Sequence, residues 1–222
     1  CSKLFEDITD YDRQIGKKTR HAGNYDMQKH THMLNLAKFG GVYISEWAAG
    51  KQLERFHTAN PNIKNVFHQE IQDALANNNC TLVSPLGRRR TFYNRWGAEM
   101  WKEAYAFLPQ SIVSDQVKFA MVRISRRLKD HYMKNFFFLQ ESHDSFLALC
   151  KDYLVDYANK IIKEELEQKI NFNSCTLSRN YDLVIPCDIK IGKRWCESKE
   201  FVDGMKLYKE KSCAEVLELS QS

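Results

Sequence analysis

The hydrophobic period of this chain changes along its length, and that change constrains the fold more than any other feature. Through residue 131 the apolar side chains recur at helical spacing. From residue 136 onward they come in short extended runs and then in alternation. A 3.6-residue stripe and a two-residue alternation bury their apolar faces on different backbones, so the chain reads as helical first and mixed afterwards. Residues 10–37, 45–58 and 60–78 read as helices, with Asp10 as a cap, Asn60–Pro61 as a break and Asn77–Asn79 as an end. Thr81–Val83 is extended and leads into a turn at Ser84–Gly87. Ile112, Val113, Val117, Ala120, Met121, Ile124 and Leu128 predict a helix over 109–131 that starts at Pro109. Phe136–Leu139 and Phe146–Leu149 flank a polar stretch and predict a β-hairpin. Residues 151–168 read as an amphipathic helix. Leu183, Ile185, Cys187, Ile189 and Ile191 line one face of a strand that Gly192 closes. The tail after Trp195 reads as mostly helical and charged. The expected class is α+β: a helical region followed by a small antiparallel sheet flanked by helices, with a boundary near Ser84–Pro85.

Composition narrows the function classes. At 222 residues the chain can bury a sizeable core. No apolar run approaches the ~20 residues of a membrane span, so no membrane partner is expected. No basic-then-apolar leader opens it, and residue 1 is Cys rather than Met. A processed, trimmed or partial chain follows, and Cys is the residue an intein leaves first downstream. The seven cysteines are odd in number and contain no Cys-x-x-Cys pair, which argues against a zinc ribbon and a disulfide scaffold. Free thiols in a reducing cytoplasm are the simpler reading. His30 and His32, two apart, point in different directions on a helix and do not suggest a metal site. The net charge is +5, and the basic residues cluster at Lys17–Arg20, Arg88–Arg90 and Arg123–Lys129. Such clusters are commonly solvated faces.

The first basic cluster is ordered. Arg13, Lys17 and His21 are spaced four apart, with Arg20, Asn24 and Tyr25 near the same stripe. Gly16, Ala22 and Gly23 leave room for close approach. Arg and Lys one turn apart can hold a triphosphate, the first as a fork and the second as a point charge. The segment from Arg13 to Met27 resembles motif B of family A (polymerase I-like) DNA polymerases, R-x3-K-x7-Y-G, with Arg13, Lys17 and Tyr25 in register. The resemblance implies that Arg13 and Lys17 bind the phosphates of the incoming nucleotide, that Lys17 also protonates the leaving pyrophosphate, and that Tyr25 stacks near the templating base. His21 falls where many relatives carry Phe or Tyr beside the sugar. Asp26 stands where the motif has Gly, and a carboxylate there is expected to hamper the tyrosine's movement or DNA entry.

Four further segments follow in the family's order. Leu86–Arg90, Leu-Gly-Arg-Arg-Arg, resembles the stretch where fingers pass into palm. Leu108–Ser111 with Asp115 resembles a segment whose Gln probes the minor groove at the primer end, a role that falls to Gln110; an amide can donate to the acceptors found there. Phe138–Phe146 resembles motif C, with His143–Asp144–Ser145 where His-Asp-Glu is usual. A carboxylate pushed out at a hairpin tip can bind metal, although Asp in a turn is by itself most often a turn former. Leu183–Trp195 resembles the last palm strand and its Gly-x-x-Trp ending.

Together these imply a fingers subdomain over 1–84 and the C-terminal part of a palm over 85–222. They imply a DNA-directed DNA polymerase acting on primer–template DNA and dNTPs, with Arg88, Arg89, Gln110 and His143 on the DNA. Phosphoryl transfer of this kind uses two Mg²⁺ ions bridged by carboxylates. Asp144 supplies one such carboxylate, and nothing before Arg13 supplies the motif A aspartate. The expectation is therefore a chain inactive alone that pairs with an N-terminal portion carrying motif A, in the cytoplasm of a host cell if phage-encoded. Two alternatives stay open: a non-catalytic nucleic-acid-binding remnant, suggested by Asp26 and Ser145, and a single-subunit RNA polymerase fragment, suggested by His-Asp-Ser.

Overall fold

The structure is a computed structural model that describes residues 10–197 and 204–207. Helices dominate the first part: α1 (Asp10–Asn24), α2 (Lys29–Gly40), α3 (Glu46–Ala59), a π-helical turn (Ile63–His68) running into α4 (Gln69–Asn77). A two-stranded sheet of β1 (Thr81–Val83) and β2 (Arg89–Thr91) precedes the long α5 (Ala98–Arg127). There follow the hairpin β3 (Phe136–Ser142) and β4 (Ser145–Cys150), then α6 (Val155–Leu166). Short strands complete the described residues: β5 (Ile170–Asn171) pairs antiparallel with β6 (Asp182–Leu183), and β9 (Gly204–Leu207) pairs antiparallel with β7 (Lys190–Ile191) and parallel with β8 (Arg194–Glu197). The α+β class holds, with small mostly antiparallel sheets after a helical region.

Several boundaries differ from the periodicity. The single helix expected over 10–37 breaks at residues 25–28, because Asp26 adopts φ 51. A left-handed residue cannot continue an α-helix, and the chain turns before α2. The break at Asn60 holds: its side chain donates to Phe56 O at 2.9 Å, and helical backbone resumes at Pro61. The helix expected to start at Pro109 instead starts at Ala98 and carries Pro109 inside it. Met100, Ala104, Tyr105, Phe107 and Leu108 are all buried on that earlier stretch, and their burial outweighs the backbone bond that proline removes. The alternating stretch 183–191 is strand only at its two ends, β6 and β7. Of the tail, residues 194–197 and 204–207 are strands rather than helix, and the remainder lies outside the described residues.

The chain packs as two compact units, 1–112 with 172–179, and 113–171 with 180–222. The packing division thus falls within α5, while the Ser84–Pro85 turn lies inside the first unit. The first unit's core gathers Ile71 and Leu75 of α4, Leu82 of β1 and Phe92 around the start of α5. Residues 172–179 return to it: Val83 N–H donates to Thr176 Oγ1 at 2.7 Å, and Arg179 pairs with Glu70. The second unit's core joins Ala120, Ile124 and Leu128 of α5 to Phe136 of β3 and to Ala158, Ile161 and Ile162 of α6. Gly192 is required where it stands. A Cβ there would lie 2.6 Å from the backbone of Gly204 and Met205, so only glycine lets the chain after β7 run this close to β9.

Candidate functional site

The first unit carries the triphosphate-binding candidates on α1. Arg13 and Lys17 are exposed and form no ion pair with any described residue. Lys18, one position on, is half-buried and engaged elsewhere. His21 is exposed and sets its ring edge-on to Tyr25, 4.7 Å between centroids at 88°. The Tyr25 ring packs against the first core, and burial raises its hydroxyl pKa, which keeps the phenol neutral. The small residues of this helix divide. Gly16 has open space beside it, whereas Gly23 is packed on the Phe56 ring of α3, where a Cβ would collide at 2.1 Å. What approaches Gly23 closely is therefore the neighbouring helix and not a ligand.

Behind α1 lies a set of polar groups that the sequence did not single out. His32 is fully buried, with Nε2 3.3 Å from Thr19 Oγ1 and 3.2 Å from Gln52 Oε1, so one imidazole ties α1, α2 and α3 together. His68 is also buried. Its Nε2 donates to Asn24 O at 2.8 Å, satisfying a terminal carbonyl of α1, and its ring stacks on Tyr105 at 3.9 Å. Burial lowers the pKa of His32, His57 and His68, so all three favour the neutral form. Asp26 lies 3.9 Å from Lys64 Nζ, beside a groove of about 600 Å³ that also includes His57, Glu54 and Lys29. Its conformation accounts for the departure from the motif's glycine. The position needs positive φ, and Asp is among the few other residues that tolerate it. Histidines two or more residues apart carry no period that would have revealed this arrangement.

The remaining first-unit candidates are on the surface. Arg88 and Arg89 are exposed around the start of β2, and Gln110 is exposed on α5. Next to Gln110, Ser111 is buried and donates to Leu108 O at 3.0 Å, which fixes the turn around Pro109.

The second unit carries the hairpin. Ser142 and Ser145 are paired, leaving His143 and Asp144 as a two-residue tip. His143 takes φ 46, and both tip residues are exposed. Ser145 Oγ donates to Ser142 O at 3.2 Å, so it closes the turn and offers no charge. The register shifts between Phe138 and Gln140, and the bulge re-aims the strand just before the tip. Asp144 borders a cleft of about 550 Å³ between the hairpin, α5, α6 and residues 185–193. Asp152 and Asp188 also border it, as does Cys187, whose thiol burial and the nearby Glu167 push up to about 11. Asn159 of α6 is buried in the same cleft, and its Nδ2 has no partner among the described residues. Among the described residues no three His, Cys, Asp or Glu side chains come together as a metal site. Asp144 is the exposed carboxylate at the tip of the hairpin.

Two arginines of the basic cluster on α5 are committed elsewhere. Arg123 Nε donates to Glu165 Oε2 at 2.7 Å and Arg127 Nη1 to Oε1 at 2.9 Å. Gln168 adds a third bond to the same carboxylate. Burial alone would raise the Glu165 pKa, but the hydrogen bonds from Arg127 and Arg123 outweigh it and hold it below the usual range. The four-residue spacing of the two arginines was the available signal, since it puts both on the face that meets α6.

Residues 2–197 match the family described as DNA polymerase family A. No curated protein sequence matches the chain. Among solved structures it is similar to the POL domain of Pol1 from M. smegmatis, in complex with DNA primer-template and dNTP, with a TM-score of 0.61 at 18% identity. That similarity covers 73% of this chain and 28% of the other, so the chain spans little more than a quarter of the length of that relative.

Proposed function

Because the chain belongs to DNA polymerase family A, we propose that it is the C-terminal fingers and palm portion of a polymerase that transfers dNTPs to a primer 3′ end. In this reading residues 1–84 belong to the fingers and 85–222 to the palm. The observation that carries it is the contrast on α1: Arg13 and Lys17 stand exposed one turn apart with no ion-pair partner among the described residues, while Lys18 is taken up by the protein. Unpaired cations on a preformed helix face suit a triphosphate. Arg13 and Lys17 hold its phosphates, His21 and Tyr25 border the sugar and base, and Lys17 is placed to protonate pyrophosphate. Arg88, Arg89, Gln110 and His143 contact primer–template DNA.

Mg²⁺ supplies Lewis-acid stabilisation of the transferring phosphoryl group in chemistry of this class. Asp144 contributes one ligand, and an N-terminal portion bearing motif A contributes the other carboxylate. The two-stranded hairpin and the adjoining cleft offer that portion a place to dock. An incoming segment would bring a carbonyl for the Asn159 amide, whose Nδ2 has no partner among the described residues. The reading of a remnant that binds nucleic acid without catalysis rested on Asp26 and Ser145. Asp26 supports it less now, since its φ of 51 meets the same backbone demand as glycine.

Primer extension tests the proposal. The isolated chain should incorporate no nucleotide, and adding a polypeptide with the motif A strand should restore extension. Robust extension by the chain alone would place the active site elsewhere, and failure of every such complement would favour the non-catalytic remnant.

A further inference from the structure

The loop between β2 and α5 holds two aromatic rings out in water and is pinned so that they stay there. Tyr93 is 90% exposed and Trp96 is 50% exposed. Asn94, between them, donates from Nδ2 to Glu103 Oε1 at 2.8 Å, and Arg90 donates to the other oxygen of the same carboxylate at 2.6 Å. Trp96 rests edge-on against Trp101, 6.0 Å between centroids at 87°. Glu103 and Trp101 both belong to α5, so the first turns of that helix fix the loop from behind. Large exposed rings cost free energy in water, and a loop free to move would fold them onto the nearby core. Arg89 of β2 precedes the rings and Arg95 stands between them in the chain; both are exposed and make no ion pair with a described residue. Arg90, by contrast, is consumed by Glu103 and by the buried Phe92 ring, 4.8 Å from its guanidinium.

We infer that this loop is a stacking site for single-stranded DNA, with Tyr93 and Trp96 under the bases and Arg89 and Arg95 on the phosphates. Single strands expose the π-faces that a duplex hides. Proteins that bind them combine aromatic platforms with unpaired cations, which is the combination found here. Three residues span at most about 11 Å, so the two rings lie within reach of neighbouring bases on one strand. The inference takes the choice of DNA from the polymerase reading but needs neither a metal nor a second carboxylate, so the two can fail separately.

The test is fluorescence anisotropy of the full chain with fluorescein-labelled oligo-dT and with a blunt duplex of equal length. Tyr93 is the decisive position, since its exposure lets it be replaced without disturbing the core. Tyr93→Ala should weaken oligo-dT binding roughly five- to a hundredfold while duplex binding stays unchanged, and Tyr93→Phe should restore it because stacking needs the ring and not the hydroxyl. Arg95→Ala should lower the salt slope for oligo-dT by about 0.7, the loss of one phosphate contact on a single strand. Thermal melts of each variant confirm that folding is intact. No measurable oligo-dT binding, equal binding by Tyr93→Ala and the parent, or equal losses on duplex and single strand would each overturn the inference. Oligo-dT binding through Tyr93 in a chain that no complement renders active would break the polymerase reading and leave this one standing.

Discussion

Two helices of this chain carry basic residues four apart, and the tertiary structure uses them in opposite ways. On α1, Arg13 and Lys17 face solvent with no acidic partner among the described residues. On α5, Arg123 and Arg127 converge on the buried carboxylate of Glu165. The same spacing gives a free cationic face in one unit and a closed ion-pair cluster in the other. The deciding factor is what packs alongside. The acidic end of α6 comes up against α5, while Arg13 and Lys17 form no ion pair with any described residue. Only an uncommitted charge can gain from a phosphate, because a paired one must first lose its partner.

The largest expected effect concerns the second unit's own functional group. In an enzyme reconstituted with a motif A portion, Asp144→Asn should reduce primer extension by orders of magnitude while the melting temperature barely moves, since positional and electrostatic effects dominate phosphoryl transfer and the tip is solvent-exposed. Near-normal extension would remove Asp144 from the site.

Next comes the contrast within α1. Lys17→Ala should cost ten- to a hundredfold in nucleotide use, as expected for roughly 1.5–3 kcal/mol in a charged hydrogen bond. Lys18→Ala should cost little, because Lys18 is turned about 100° away around the helix. Steady-state kinetics with varied dNTP measures both, and equal effects would dissolve the distinction between free and committed charge.

On α5 the corresponding change should act on stability. Glu165→Gln keeps the shape but removes the charge that two guanidiniums share, and a loss of about 1.5–3 kcal/mol in chemical denaturation is the expected scale. An unchanged midpoint would mean that the cluster contributes nothing net, as some ion pairs do.

The smallest effect separates the units by pH. His32, His57 and His68 have folded pKa values below the unfolded value near 6.5, so the stability they contribute is complete above that pH and is lost as pH falls below it. Each adds a slope of at most about 1.4 kcal/mol per pH unit. Glu165 is a lowered carboxylate, so its contribution is present above about pH 4.3 and is lost only in stronger acid. Trp47, Trp96 and Trp101 lie in the first unit, and the second has Trp195. Tryptophan fluorescence should therefore report destabilisation of the first unit near pH 6, while hydrogen exchange on α6 stays unchanged until lower pH. Simultaneous loss in both would show that the histidines do not govern the first unit.

What the sequence determined was local. The change of period fixed the order of helices and hairpin, and Asn60–Pro61 and Gly192 stand where their chemistry demands, whereas the polar stretch 140–145 narrows to a two-residue tip only in the paired strands. The spacing of Arg13, Lys17 and His21 on one helix was legible because a helix converts spacing into direction without help from the rest of the chain. The start of α5 was not legible, because Pro109 reads as a beginning and only the burial of Met100 to Leu108 shows otherwise. Nor was the role of Gly23, the buried ties of His32 and His68, or the fate of Arg123 and Arg127. Each depends on a partner 20 or more residues away, and no period in one segment encodes what another segment brings to it. Direction along a helix is decided by backbone geometry, but whether a side chain that points outward meets water, a ring or a carboxylate is decided by packing alone.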